Sequence, residues 1–229
     1  MSSVWSRPEP PRRPALSREA IVTAAVAIAD AEGLAAVSIR RVAAELGARA
    51  MTLYSYIERK EDLLALMHDA IAAEVLVDEP LPDDWREALL LLARREREMV
   101  LRHPWRVELI SQRIEVGPNG LRHVEQKLSV FDGLGIDRLT AWRILAAFAD
   151  YMTGFVIREA TDRRAPRRQG INDAERAAAA EPYIRELIDG GEFPRLAPMI
   201  EEGVRGADDN FERGLSWVLD GIEAGLHGR

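Results

Sequence analysis

The sequence predicts an all-α protein, and three observations predict it. Apolar residues recur at helical spacing along most of the 229 residues, while the sustained period-two alternation of half-buried strands is absent. Serines that can cap helices and glycines that can end them stand at the edges of those periodic runs. Hydrophobic residues make up 47% and charged residues 30%, which suits a soluble chain with a substantial core in one large domain or two small ones.

In order, residues 1–16 read as a flexible, basic, proline-rich arm without the apolar centre of a secretion signal. Arg7, Arg12 and Arg13 in that arm are of the kind that can track phosphates or a minor groove. Ser17 can cap a first helix whose Ile21, Ala25, Ile28 and Ala29 share one face, and Gly33 ends it. Ser38 can cap a second, with Ile39, Val42, Ala43 and Leu46 spaced i, i+3, i+4, i+7, and Gly47 stops it. A third covers about Ala50 to Ile57, with Leu53 and Ile57 inward. A fourth runs from about Lys60 to Val77, until DEPLPDD breaks it.

Trp85 to Arg102 is the next helix, closed at His103-Pro104 because the residue before proline avoids the helical conformation. GPNG opens another, through about Leu134, and GLGID separates it from Ile136–Thr161. There Leu139, Trp142, Leu145, Phe148, Tyr151, Met152 and Phe155 point in several directions, so the helix needs cover on more than one side. TDRRAPRRQGINDAER reads as an exposed arginine-rich loop. The final helix, Asp208 to about Leu226, carries a stripe of Phe211, Leu215, Val218, Leu219, Ile222 and Leu226.

Composition excludes several functions. With no cysteine there is no disulfide, thiolate metal site or cysteine nucleophile. No apolar run approaches the ~20 residues that span a bilayer, so no membrane partner is expected and the cytoplasm is the expected location. His68, His103, His123 and His227 are scattered without metal-ligand spacing, and neither a Gly-rich phosphate loop nor a nucleophile elbow is present. An enzyme is not expected, nor a metal or other cofactor. The net charge of −7 is uneven: residues 1–60 hold nine basic and six acidic side chains, +3, leaving −10 on the other 169. A basic end on an acidic body suggests a polyanion-binding head on a different scaffold.

The head's centre is SIRRVAAELGARAMTLYSYIERKEDLL, Ser38 to Leu64. Two short helices joined by a glycine turn and braced by a preceding helix make a helix-turn-helix, whose second helix can enter a DNA major groove. With Leu53 and Ile57 inward, Arg49, Thr52, Ser55 and Tyr56 fall on outer and flanking faces, where they can bond phosphates. Arg40 or Arg49 can reach a guanine edge, Tyr54 offers its ring to a thymine methyl, and Lys60 stands near the N-terminus of helix four, where a phosphate is favoured. A helical hairpin with a solvated polar face, in a ligand-binding or interaction module that never touches DNA, has the same spacing.

AVSIRRVAAELGARAMTLYSYIERKEDLLALM resembles the DNA-binding head of the TetR family, the tetracycline-repressor-like bacterial regulators. The likeness runs from about Ser17 to Val77 and includes Ser38-Ile39-Arg40-x-Val42-Ala43, Leu46-Gly47, Thr52-Leu53-Tyr54, Tyr56 and Lys60-x-x-Leu63. HPW, GPN, YMTGF and FERGLSWVLDGIEA resemble, more loosely, the ligand-sensing part of tetracycline-repressor-type members. The resemblance implies an all-α homodimer with one operator half-site per head. It implies a helix-turn-helix domain over 17–62 and an effector-binding and dimerisation domain over 63–229.

Family contacts carried onto this sequence fall at Ser38, Arg49, Ala50, Met51, Thr52, Tyr56 and Lys60. Two departures are visible: Arg49 stands where a small capping residue is usual, and Met51 where glycine or proline is frequent. The final stripe and one face of Ile136–Thr161 are the candidate dimer surfaces. The effector would lie among Met99, Trp105, Phe131, Phe148, Tyr151, Met152 and Phe155, with Glu96, Arg97 and His103 as available polar groups. At the drug- and magnesium-binding positions of tetracycline-binding members, register gives Leu76, Leu92, Glu96 and Ile110, so neither tetracycline nor magnesium is expected. The function implied is a repressor released from a palindromic operator by a small, largely apolar effector.

Overall fold

The computed structural model describes residues 16–110, 112, 115–168, 173–201 and 210–227, and every regular element among them is helical. The head holds α1 (Arg18–Glu32), α2 (Ile39–Glu45) and α3 (Ala50–Leu53), and α4 (Lys60–Ala72) leads out of it. The body follows with α5 (Trp85–Arg102), α6 (Arg106–Ile110), α7 (Pro118–Ser129), α8 (Arg138–Arg168), α9 (Asp173–Asp189), α10 (Ala197–Glu201) and α11 (Phe211–His227). The basic arm at Arg7, Arg12 and Arg13 lies outside the described residues.

Local chemistry sets the head's boundaries. The Ser17 hydroxyl accepts from the Ala20 N–H and the Ser38 hydroxyl from the Arg41 N–H, both at 3.1 Å, each satisfying a donor that the first helical turn leaves open. Gly33 ends α1 at φ +87°, and its N–H donates to the Ala29 carbonyl at 2.9 Å. Inward faces then stack: Ile21, Ala25, Ile28 and Ala29 of α1, and Val42 and Ala43 of α2, are buried.

Several expected boundaries move. The third helix, expected over Ala50–Ile57, closes at Leu53 and continues as a turn, in which the Ser55 hydroxyl donates to the Thr52 carbonyl at 2.7 Å. Such a local bond competes with helical pairing. The fourth ends at Ala72 and tightens into a 3-10 turn at Ala73–Val75 rather than reaching Val77. The helix opened by GPNG stops at Ser129 instead of Leu134, and the turns that follow use Gly133 at φ +82° and Gly135 at φ +67°.

The expected arginine-rich loop is corrected as well. Its first half continues α8 to Arg168 and its end begins α9 at Asp173, a helix the periodicity did not reveal. Arginine and alanine are strong helix formers, so polarity alone does not make a loop. The stretch between, 169–172, and positions 208–209 at the expected start of the last helix lie outside the described residues.

The body is built around α8, against which α5, α6, α7 and α11 pack. Leu145, Phe148, Met152 and Phe155 of α8 are buried there. Phe211, Leu215 and Leu219, half of the stripe read as a subunit surface, are buried inside the chain against that core. Arg97 of α5 lies 4.7 Å over the Phe211 ring and 5.5 Å over Phe155, and donates to both oxygens of Glu159 at 2.8 Å. Three elements are pinned by that one guanidinium.

Hydrogen bonding from Arg97 holds the Glu159 carboxyl below its ordinary range, against the opposing effect of burial. A carboxyl with a depressed folded-state pKa contributes stability above its unfolded value of ~4.3 and loses it as pH falls through the folded value. Glu159→Gln is therefore expected to lower the urea midpoint at neutral pH and to flatten the decline between about pH 5 and about pH 3. Equal acid-side declines in wild type and variant would show that the pair contributes nothing pH-dependent.

Candidate functional site

The turn between α2 and α3 is closed by a nested pair of bonds. The Ala48 N–H donates to the Ala43 carbonyl at 2.8 Å and the Gly47 N–H to Ala44 at 3.1 Å. Gly47 makes this possible at φ +61°, a conformation that penalises a Cβ. Arg49 then runs extended and starts α3. Leu53 and Ile57 drop into the core beneath, which turns the rest of the segment outward. Met51 is 78% exposed and Tyr54 47%; Arg49, Thr52 and Ser55 are exposed beside them, and Ala50 is half-buried.

Each candidate contact has a distinct setting. The Ser38 hydroxyl is exposed but caps α2. Arg41, next to it, is tied to Glu32 at 2.6 Å and Glu45 at 2.7 Å. Arg40, Arg49 and Lys60 are exposed and make no ion pair among the described residues, so their charges remain available to an external anion. Tyr56 differs: it is half-buried, and its hydroxyl donates to the Leu16 carbonyl at 3.1 Å. That proton braces the root of α1, so in this conformation Tyr56 presents no donor to a phosphate. Available cations, a hydroxyl and an aromatic ring on a short protruding helix suit a groove walled by phosphates.

The seven aromatic and methionine side chains read as one effector lining lie in three settings. Trp105 is fully buried, and its indole N–H donates to Asp30 of α1 at 2.6 Å. Tyr151 donates to the Phe211 carbonyl at 3.0 Å, and a Cβ on Gly214 would come within 2.4 Å of its hydroxyl. Phe155 meets Phe211 edge to face at 5.1 Å, so Tyr151 and Phe155 form the α8–α11 seam. Met99, Phe131, Phe148 and Met152 are buried in the common core. Of the polar groups, Arg97 is held by Glu159, and His103 lies between Asp30 at 2.7 Å and Glu74 at 3.0 Å.

Glu96 has the third setting, and it reveals side chains that the sequence reading did not single out. Lys127 donates to Glu96 at 3.0 Å and holds its ammonium 5.6 Å over the Phe148 ring. His123, one turn before Lys127 on α7, brings Nε2 to 3.9 Å from the other Glu96 oxygen, too far for a hydrogen bond. Burial pushes the Glu96 carboxyl up, but the nearby Lys127, His123 and Arg106 overcome it and hold the group well below the usual carboxylate range. Burial and Arg106 together lower the His68 ring. The i, i+4 spacing of His123 and Lys127 was the available sequence signal, since it places both on one helix face.

A separate open cleft of about 600 Å³ lies between α4 and the Glu115–Pro118 segment, with Arg18, Arg59, Glu61, Asp62 and Asp69 on its walls. Its walls are charged and solvated, unlike an enclosed apolar ligand site.

Residues 21–67 match the family described as "Bacterial regulatory proteins, tetR family", and residues 79–226 match "Tetracyclin repressor-like, C-terminal domain". The chain is similar to the HTH-type transcriptional repressor DrrR1 of Streptomyces coeruleorubidus, at 34% identity over 95% of this chain and 81% of the relative. It is similar to an HTH-type transcriptional regulator of Saccharopolyspora erythraea, at 30% identity over 97% and 92%. Among solved structures, ActR of Streptomyces coelicolor in complex with actinorhodin superposes with a TM-score of 0.77 at 28% identity, covering 93% of this chain and 99% of that one.

On this geometry, Lys60→Ala is expected to weaken binding to duplex DNA and to reduce the slope of log affinity against log salt by about 1. Tyr54→Ala is expected to weaken binding with little change of slope. Tyr56→Phe, which removes the bond to Leu16, is expected to cost about 0.5–1.5 kcal/mol of folding stability. If Lys60→Ala and Tyr54→Ala both left DNA affinity intact in folded protein, α3 and the start of α4 would not be the docking elements.

Proposed function

Because the chain belongs to the TetR family of bacterial regulators, we propose that it is a sequence-specific repressor that leaves a palindromic operator when a small molecule binds its body. The observation that carries this reading is the α2–turn–α3 unit, which buries Leu53 and Ile57 while presenting Arg49, Met51, Thr52, Tyr54 and Ser55 together. Residues 17–62 act as the DNA-binding unit and 63–229 as the effector-binding and dimerisation unit. Bases are met by Arg49, Ala50, Met51 and Tyr54, and phosphates by Arg40, Thr52, Ser55 and Lys60. The ligand-bound form of ActR supports a small-molecule effector for its relative here. The family is one of transcriptional regulators, not enzymes, and no helix among the described residues is long and apolar enough to cross a membrane.

A palindrome needs two heads about one DNA turn apart, ~34–36 Å, and a dimer interface sets that distance. The outer faces of α8 and α11 supply the candidate surface. Leu139, Trp142 and Trp217 are exposed there, and open space surrounds Gly154, Gly221 and Gly225, so a second helix can approach closely. α4, 13 residues or about 20 Å long, is the lever between body and head.

Selection from a random duplex pool, followed by anisotropy titration at several salt concentrations, tests the reading. A palindromic winner bound far above competitor DNA, with affinity falling steeply as salt rises, is expected. Absence of any enriched sequence would favour a helical module that does not read DNA. Trp142→Glu with Trp217→Glu is expected to give a folded monomer by light scattering and to reduce operator affinity at least about tenfold. A dimer of unchanged mass would place the interface elsewhere.

A further inference from the structure

Four polar atoms in one part of the body are buried without a hydrogen-bond partner: both ring nitrogens of His123, Nδ1 of His68 and Nε of Arg106. Buried polar groups are almost always paired, so four orphans arriving from α4, α6 and α7 are unusual. His123 and Arg106 stand beside the Glu96–Lys127 pair, and Arg106 links them to His68. Lys127 and Glu96 keep only 7% and 14% of their side-chain surface exposed, and His123 10%. Arg106 is near enough to act on both Glu96 and His68.

The cluster is unbalanced in two respects. Lys127 has three N–H donors and Glu96 takes one of them. Of the two acids nearby, Glu96 takes one Lys127 donor and Asp69 is already engaged by the Asn119 N–H at 2.8 Å and the Gly120 N–H at 3.1 Å, so neither satisfies the orphaned nitrogens. Donors are therefore in surplus, inside a body whose core is otherwise apolar. The flat ring of Phe148 lies directly under the ammonium.

We infer that the effector is an aromatic carboxylate, whose anionic group is received by Lys127, His123 and Arg106 while its ring system covers Phe148. This refines the expectation of a largely apolar molecule, and it rests on the reading of the body as the effector-binding part. A carboxylate supplies acceptors to donors that lack one, and it does so without displacing Glu96 from Lys127. A neutral apolar molecule of the same shape leaves the orphaned nitrogens uncompensated. A cation would meet like charge. Water alone in the cluster would satisfy the donors without selecting any ligand.

The test compares 3-hydroxy-2-naphthoate with its neutral amide, 3-hydroxy-2-naphthamide, by titration calorimetry on the full chain at neutral pH. The carboxylate is expected to bind at least about tenfold more tightly than the amide. Lys127→Met is expected to reduce that ratio to within about twofold while shifting amide affinity by less than about threefold. Glu96→Gln with Lys127→Met buries no lone carboxylate and is expected to lose the ratio likewise, should the single variant fold poorly. Equal binding of the two probes, binding of neither, or a preference that survives both variants would overturn the inference. Operator anisotropy is read on the same wild-type sample. Operator binding without a carboxylate preference removes this inference and leaves the regulator reading intact; a preference without operator binding does the reverse.

Discussion

The structure depends on how firmly the head is fastened to the body, and a buried imidazole does much of the fastening. His103 ends α5 and reaches Asp30 of α1 with one ring nitrogen and Glu74, just beyond α4, with the other. Trp105 adds its indole N–H to the same Asp30 oxygen and stacks edge-on to the His103 ring at 5.9 Å. α1, the 3-10 turn after α4 and the connection from α5 to α6 thus share one polar junction inside an apolar surround. Polar groups there are directional, so they fix an orientation that hydrophobic burial alone would leave free to slide. The head's orientation on the body follows from those few bonds.

A second fastening lies at the start of α7. The Asp69 carboxylate of α4 accepts from the Asn119 and Gly120 N–H groups and so fills the open donors of the first turn of α7. A Cβ on Gly117 would fall 2.4 Å from Asp69 Cγ, so glycine is what lets the two elements approach this closely. Further along, Gln126 of α7 bonds both the N–H and the carbonyl of Val77, holding the segment that leaves α4. α7 therefore carries His123 between two grips, with Lys127 next to the second.

The reading surface shows the opposite design. α3 is a single turn held from beneath by Leu53 and Ile57, with little intrachain contact on its outer face. A side chain such as Met51 at 78% exposure serves packing within the chain poorly, and Arg40, Arg49 and Lys60 have no ionic partner among the described residues. The neighbouring arginines are different: Arg41 and Arg59 are tied to Glu32, Glu45 and Asp62. The segment's basic residues are thus divided between internal ion pairs and available charge, a division that composition could not reveal.

What the sequence by itself determined was local. The capping of α1 by Ser17 and α2 by Ser38, the glycine stops at Gly33 and Gly47, the burial of Leu53 beside Ile57, and the end of α5 before Pro104 all depend on residues within a few positions of one another. Spacing and dihedral preference suffice for those features. Where α3 gives way to a turn, where α8 stops, and that α9 exists were not legible, because neighbouring helix formers leave such boundaries to competing hydrogen bonds and packing. The buried polar groups of the body were the least legible. Glu96, Arg106, His123, Lys127 and His68 come from four helices, and beyond the i, i+4 spacing of His123 and Lys127 nothing in the chain records that they are neighbours. Only tertiary structure decided that Trp105 and His103 would serve the head–body junction, Tyr151 and Phe155 the α8–α11 seam, and Lys127 a buried charge over Phe148. Burial and long-range pairing are properties of the folded chain, and one-dimensional periodicity identifies a face without naming what lies against it.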